Sequence, residues 1–168
     1  MTSPMSSFKR RIYHGLGEVL ADMRAAMSRR ETLRSAMRGE GLDSALRERL
    51  MLVVTGVNGC RYCSYVHARE ALAEGISQDE IMSLGEHMFE GSPPEEVPAL
   101  LYAQHWAETD GKPDPAIRER IGQRYGRDVL ERIEAVLLII RMGNLMGNTM
   151  DYVLYRMSFG RWGVEQAT

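Results

Sequence analysis

The sequence predicts an all-α domain, and three observations carry that reading. Apolar residues recur at three- and four-residue steps in one segment after another, the period of a helix with one buried face. No stretch alternates apolar and polar residues as a half-buried strand would. Glycines, prolines and capping residues punctuate the chain at helix-length intervals, with no repeat of roughly 20–50 residues to suggest a solenoid. A length of 168 residues favours one domain, 1–168.

The elements follow in order. From Phe8 the residues Ile12, Leu16, Val19, Leu20, Met23 and Met27 form one stripe, predicting a first helix that Gly39 and Gly41 break. Asp43 or Ser44 caps a second, which carries Leu46 and the run Leu50, Met51, Leu52, Val53, Val54 before Gly56, Asn58 and Gly59 end it. Five consecutive apolar residues leave little wet surface, so its second half is expected to be buried. A third helix runs from about Cys60 to Gly75, well placed as the residue after the C-cap. Ser77 and Glu80 form a capping box for a fourth, with Ile81, Met82, Leu84 and Met88. Ser92 followed by Pro93 and Pro94 opens a fifth, with Val97, Leu100, Leu101 and Trp106. After a loop from Gly111 to Pro115 comes a short helix around Ile117 to Tyr125, and Asp128 opens a long apolar helix through Met142. Gly143-Asn144 and Gly147-Asn148 then repeat at four residues. The two glycines share one helical face, at a cost of about 1 kcal/mol each relative to alanine, and read as a packing seam within or between subunits. The 12 methionines read as soft core packing.

Composition narrows the function. With 44% apolar and 26% charged residues the chain is globular rather than disordered. A net charge of −2 leaves no basic footprint and argues against nucleic acid as the main partner. Lys9 and Lys112 are the only lysines, an arginine excess read as codon usage. No apolar run approaches the roughly 18 residues of a membrane span, the longest clean one being Val136 to Ile140. Met1 to Gly17 holds Lys9, Arg10 and Arg11 with no apolar stretch behind them, so no signal peptide is read and a cytoplasmic location is expected. In a reducing compartment the two cysteines point to redox or metal chemistry rather than a structural disulfide.

Those cysteines lie in the informative stretch, Glu48 to His67. Three residues apart on a helix, Cys60 and Cys63 have Cα atoms about 5 Å apart, within disulfide range. At about 100° per residue, Cys60, Cys63 and His67 share one face, with the His67 ring one turn beyond Cys63 and within reach of that thiol directly or through water. The turn Val57-Asn58-Gly59 sets Cys60 near a helix N-terminus, where free N–H groups and the macrodipole favour thiolate. A low-pKa thiol beside a second thiol is the minimal apparatus for a two-electron reduction by way of sulfenic acid and disulfide. Glu48 shares a face with Met51, Leu52 and Thr55. Partly apolar surroundings are expected to raise its pKa and suit it to exchanging protons with His67. Blander readings exist for each residue: cysteines as small core residues, Glu48 as a first-turn glutamate paired with arginine, and a metal site for which Cys60, Cys63 and His67 supply only three ligands.

Glu48, Asn58-Gly59-Cys60, Cys63 and His67, followed by Ala68-Arg69-Glu70-Ala71 and Gly75-Ile76-Ser77, resemble the alkyl hydroperoxidase D (AhpD)-like branch of the carboxymuconolactone decarboxylase family. The resemblance covers roughly residues 43–90; Tyr62 stands where some members carry a histidine. It implies an all-helical fold assembling as trimers or hexamers, and a peroxidase that uses protein thiols with no cofactor and no metal. Cys63 would be the peroxidatic cysteine, activated through His67 with Glu48 in the proton relay, and Cys60 the resolving one. The partners implied are a hydroperoxide and a thiol electron donor: a lipoyl protein, a thioredoxin-like protein or a small thiol. Two other functions are open, the family's lactone decarboxylase chemistry, which needs no thiol pair, and a redox-sensing oligomer without enzymatic turnover.

Overall fold

The computed structural model describes residues 8–163, so Met1–Ser7, part of the segment read as lacking a signal peptide, lie outside the described residues. Among these there are eight helices and no strand: α1 (Leu16–Ser28), α2 (Arg30–Met37), α3 (Ser44–Asn58), α4 (Arg61–Ala73), α5 (Gln78–Gly85), α6 (Val97–Glu108), α7 (Pro115–Tyr125) and α8 (Arg127–Met157). No helix among them is long and apolar enough to cross a membrane.

Helix α3 is the centre, packed on α8, α6, α4 and α5. Its run from Leu50 to Val54 is buried throughout, as five consecutive apolar residues require, and belongs to one core cluster with Leu100 and Ala103 of α6 and Ile133, Val136 and Leu137 of α8. Asp43 caps it by accepting from the amides of Ala45 and Leu46. Gly56 lies inside the helix rather than ending it. A Cβ there would come within 2.8 Å of the Gly85 carbonyl oxygen, so the missing side chain is what lets α3 and α5 cross.

Five expectations are corrected. The first helix begins at Leu16, not Phe8, and breaks at Arg29. Residues 8–15 instead run over α8 and α6: Arg10 pairs with Asp151, Arg11 donates to the Ala107 carbonyl, and the Tyr13 amide donates to Thr149. The stripe Leu16, Leu20, Met23, Met27 faces solvent, because α1 turns Asp22 inward to Tyr13 and Arg141. Helix α5 stops at Gly85, leaving Met88 outside. Helix α6 starts at Val97, since the Ser92 hydroxyl is spent on Glu80 rather than on capping. Helix α8 runs on through both glycines to Met157. Gly147 is a true close approach, whereas a Cβ on Gly143 would meet nothing within 4 Å.

The capping box is half formed. Ser77 accepts from the Glu80 amide, but the Glu80 carboxylate turns inward to Arg49, 2.7 Å from its Nε, while Arg49 also reaches Glu96 at 3.2 Å. This pair ties α3, α5 and the start of α6 together with both side chains buried. Arg49→Ala would strand the Glu80 charge, and breaking a buried pair from one side costs about 3–5 kcal/mol. At roughly 2–4 °C per kcal/mol for a chain of this size, the melting temperature is expected to fall by roughly 6–20 °C. Arg49→Met with Glu80→Leu is expected to recover most of that loss in a thermal melt, and a fall of only a degree or two in Arg49→Ala would show the pair to be well solvated.

Candidate active site

The site is built where α3 hands over to α4. Gly59 adopts a left-handed conformation (φ 70°, ψ 32°), which turns the chain sharply enough for Cys60 to become the N-cap of α4. The Cys60 sulfur accepts from the Cys63 backbone amide at 3.4 Å, and a hydrogen bond joins the two sulfurs across 2.6 Å. Both thiols are buried, Cys60 at 1% exposure and Cys63 at 8%.

The hydrogen bond between the two sulfurs splits their acidities. The hydrogen bond with Cys63 pulls the Cys60 thiol down to about 6; burial opposes this, while the Cys63 amide and the Asn144 side chain add to it. The same bond, with burial, pushes the Cys63 thiol up. The anion therefore rests first on Cys60, where the N-terminal position on α4 favours it.

Glu48, near the start of α3, is buried, and its Oε2 lies 2.9 Å from His67 Nδ1 on α4. Arg47 Nε donates to the other carboxylate oxygen at 3.0 Å. Burial pushes the Glu48 carboxyl up, but the hydrogen bonds and charges of His67 and Arg47 more than reverse it, so the group sits below the ordinary carboxylate range. The expected upward shift is thus corrected: the pocket is buried but supplies two donors. An ionised carboxylate only accepts, so His67 carries its proton on Nδ1 and turns a lone pair outward at Nε2 when neutral. Among the described residues His67 makes its hydrogen bond to Glu48 and none to either sulfur. Nor are any three His, Cys, Asp or Glu side chains among those residues grouped to hold a metal ion. Tyr62, where some family members carry a histidine, is exposed.

Sequence reasoning missed the fourth wall. Helix α8 brings Gly147 so close that a Cβ there would lie 3.1 Å from the Cys60 sulfur. One turn earlier Asn144, fully buried, accepts from Asn58 Nδ2 at 3.1 Å and donates to Thr55 Oγ1 at 3.1 Å. Asn148 donates to the carbonyls of Asn58 and Arg11, at 2.8 and 2.9 Å, and so holds the turn before Cys60. The paired GN step was the available signal, read only as packing. Beside the turn, a cleft of about 540 Å³ lies among Arg10, Thr55, Gly59, Arg61, Ser64 and Ile81; it reaches the Asn144 partner Thr55, though neither sulfur lines it.

The fold and site define an all-helical protein with a buried dithiol backed by a carboxylate–imidazole pair. The chain belongs to the carboxymuconolactone decarboxylase family, whose match spans residues 24–109, just over half of its length. That span holds Glu48, Cys60, Cys63 and His67 and leaves α7 and α8 outside. No curated protein and no solved structure gave a match.

Proposed function

We propose that the protein is a thiol peroxidase of the AhpD-like branch of this family, reducing alkyl hydroperoxides or hydrogen peroxide. The observation that carries the reading is the pair of buried cysteines whose sulfurs, 2.6 Å apart, are joined by a hydrogen bond. Cys63, the less completely buried of the two residues, attacks as thiolate. Its electron pair forms the S–O bond, the O–O bond breaks, and the departing alkoxide takes a proton to leave as alcohol. Cys63 is then a sulfenic acid, and the Cys60 sulfur displaces its hydroxyl, releasing water and closing the Cys60–Cys63 disulfide. Two electrons from an external thiol donor (a lipoyl protein, a thioredoxin-like protein or a small thiol) reopen it. Glu48 orients His67, whose free Nε2 takes and returns the protons, reaching the thiols through water. No cofactor or metal enters this cycle.

The exposed apolar stripe of α1, with Met146, Met150, Val153 and Met157 of α8, supports a homo-oligomer, a trimer or hexamer by the family resemblance. A cytoplasmic location suits thiols that must be returned to the reduced state. One equivalent of hydroperoxide added to the reduced protein is expected to remove both free thiols and lower the mass by two hydrogens. Peroxide left unconsumed with both thiols intact would overturn the reading. If oxidation changed the sedimentation coefficient without turnover in the presence of a thiol donor, a redox sensor would replace it.

A further inference from the structure

A second cleft, of about 530 Å³, lies between α1, α6, α8 and the loop before α7. It has the volume of a small-molecule pocket and shares no lining residue with the dithiol or with the cleft beside it. Room is left there because α1 contributes small side chains: Ala21 and Ala25, one turn apart, line the cleft, and no residue of α1 is buried. Trp106, Leu138, Pro113 and Pro115 supply the rest of its apolar surface. The carboxylates that line it are already engaged. Asp22 accepts from the Tyr13 hydroxyl at 2.8 Å and from Arg141, which also reaches Asp110 at 2.7 Å. Glu134 accepts from Tyr102 at 2.6 Å and from Arg118 at 2.7 and 2.9 Å. Three donors are not engaged. The Arg29 side chain makes no hydrogen bond among the described residues, and its ion pair with Glu134 spans 3.9 Å. Lys112, exposed at the rim, has no partner among them. Trp106 is only 5% exposed, and its indole N–H is neither paired nor sealed off, so what stays open of this residue faces the cleft.

We propose that this cleft binds a small organic anion, a single carboxylate on an apolar body, with the charge held by Arg29 and Lys112 and the body packed against Leu138 and Trp106. The indole N–H of Trp106 is a third donor to the bound molecule. The charge follows from the lining. Arg118 and Arg141 are occupied by Glu134, Asp22 and Asp110, so the four cations exceed the three carboxylates by one, and no acceptor is left over for a cationic ligand. A neutral ligand would leave charged donors in a half-enclosed site without an acceptor, whereas a carboxylate supplies charge-assisted bonds to them. The apolar body follows from the alanines, prolines, Leu138 and Trp106, which give a purely polar ion nothing to cover. The proposal stands apart from the dithiol reading, because no residue of the cleft belongs to that site.

The probe is cinnamate, one carboxylate on an apolar body, titrated into the full chain. Calorimetry is expected to show saturable binding at one site per chain. The indole N–H resonance of Trp106 is expected to shift through the titration, while that of Trp162, 65% exposed and the only other tryptophan, stays in place. Cinnamamide, the same shape without the charge, is expected to bind roughly tenfold more weakly or worse. Arg29→Gln and Lys112→Gln are each expected to weaken cinnamate by a similar factor, since each removes a bond to a charged group. Neither side chain makes a hydrogen bond in the fold, so both variants are expected to melt with the unmodified protein. Ala25→Phe, which fills the cleft and leaves every charge in place, is expected to abolish binding. Absent or unsaturable binding of cinnamate, equal binding of cinnamamide, or a shift at Trp162 without one at Trp106 would overturn the proposal. So would affinity unchanged in both glutamine variants. Peroxide turnover enters none of these measurements, so this proposal and the peroxidase reading fail separately.

Discussion

Cys63→Ser is expected to lose peroxide consumption altogether, whereas Cys60→Ser should consume one equivalent and stop. The two sulfurs are not equivalent. Cys60 holds the anion more readily, being the N-cap of α4 with a thiol pulled down to about 6, but it is 1% exposed against 8% for Cys63. A thiolate made acidic by its surroundings is also a weaker nucleophile, since intrinsic reactivity falls as pKa falls. The sulfur that attacks best is the more basic and more accessible one, carrying the charge for the fraction of time that the shared proton sits on Cys60. A separation of 2.6 Å makes that transfer a short one. In Cys60→Ser, Cys63 is therefore expected to reach the sulfenic acid, gain one oxygen atom in mass and have no thiol with which to close a disulfide. In Cys63→Ser the remaining sulfur is buried and no peroxide is consumed. Mass spectrometry after one equivalent of hydroperoxide separates the outcomes, and the reverse pattern would assign the attack to Cys60.

What could be read from the sequence, and what could not, follows from how far apart the interacting residues lie. Asp43 and Ser77 cap their helices by bonds to amides two or three residues away, which local spacing specifies. Glu48, Cys60, Cys63 and His67 fall within two consecutive helices joined by one turn, so helical geometry alone brings the sulfurs together. The Glu48–His67 bond needs only the antiparallel return of α4 beside α3 in addition. The Asn58–Asn144 bond closes 86 residues of chain, and nothing in either segment points to the other. The α1 stripe failed for a different reason. Periodicity shows which residues share a face but not what covers it, and α1 spends its Asp22 side on Tyr13 and Arg141 while the apolar side stays outward. Glu48 lies buried beside His67, but its ionisation does not follow from burial alone, because Arg47 and His67 supply donors that are not evident from the glutamate's own helix face.

Glu48→Gln is expected to slow disulfide formation by peroxide about a hundredfold, at the lower end of the range for general acid–base groups. The two groups that Glu48 meets, His67 Nδ1 and Arg47 Nε, both donate, and a carboxamide accepts from only one side while presenting its own NH2 to the other. One bond is lost, the Nδ1 proton of His67 is no longer held, and Nε2 is no longer fixed as the base. Glu48 acts through His67, so the thiolate titration of the cysteine pair should stay unmoved in this variant while the rate falls. The same substitution has a stability signature with a definite sign. The Glu48 carboxyl is lowered in the folded protein, so its stabilisation is complete above the ordinary glutamate value of 4.5 and is lost as pH falls through the lowered folded value. Losing a buried, charge-assisted bond costs about 1–3 kcal/mol at neutral pH. Chemical denaturation of the two proteins from pH 7 downward should show that gap constant to about pH 5 and closing below about 4.5. A gap that persists unchanged into strong acid would mean that Glu48 does not fold as a carboxylate, and the relay through His67 would have no base behind it.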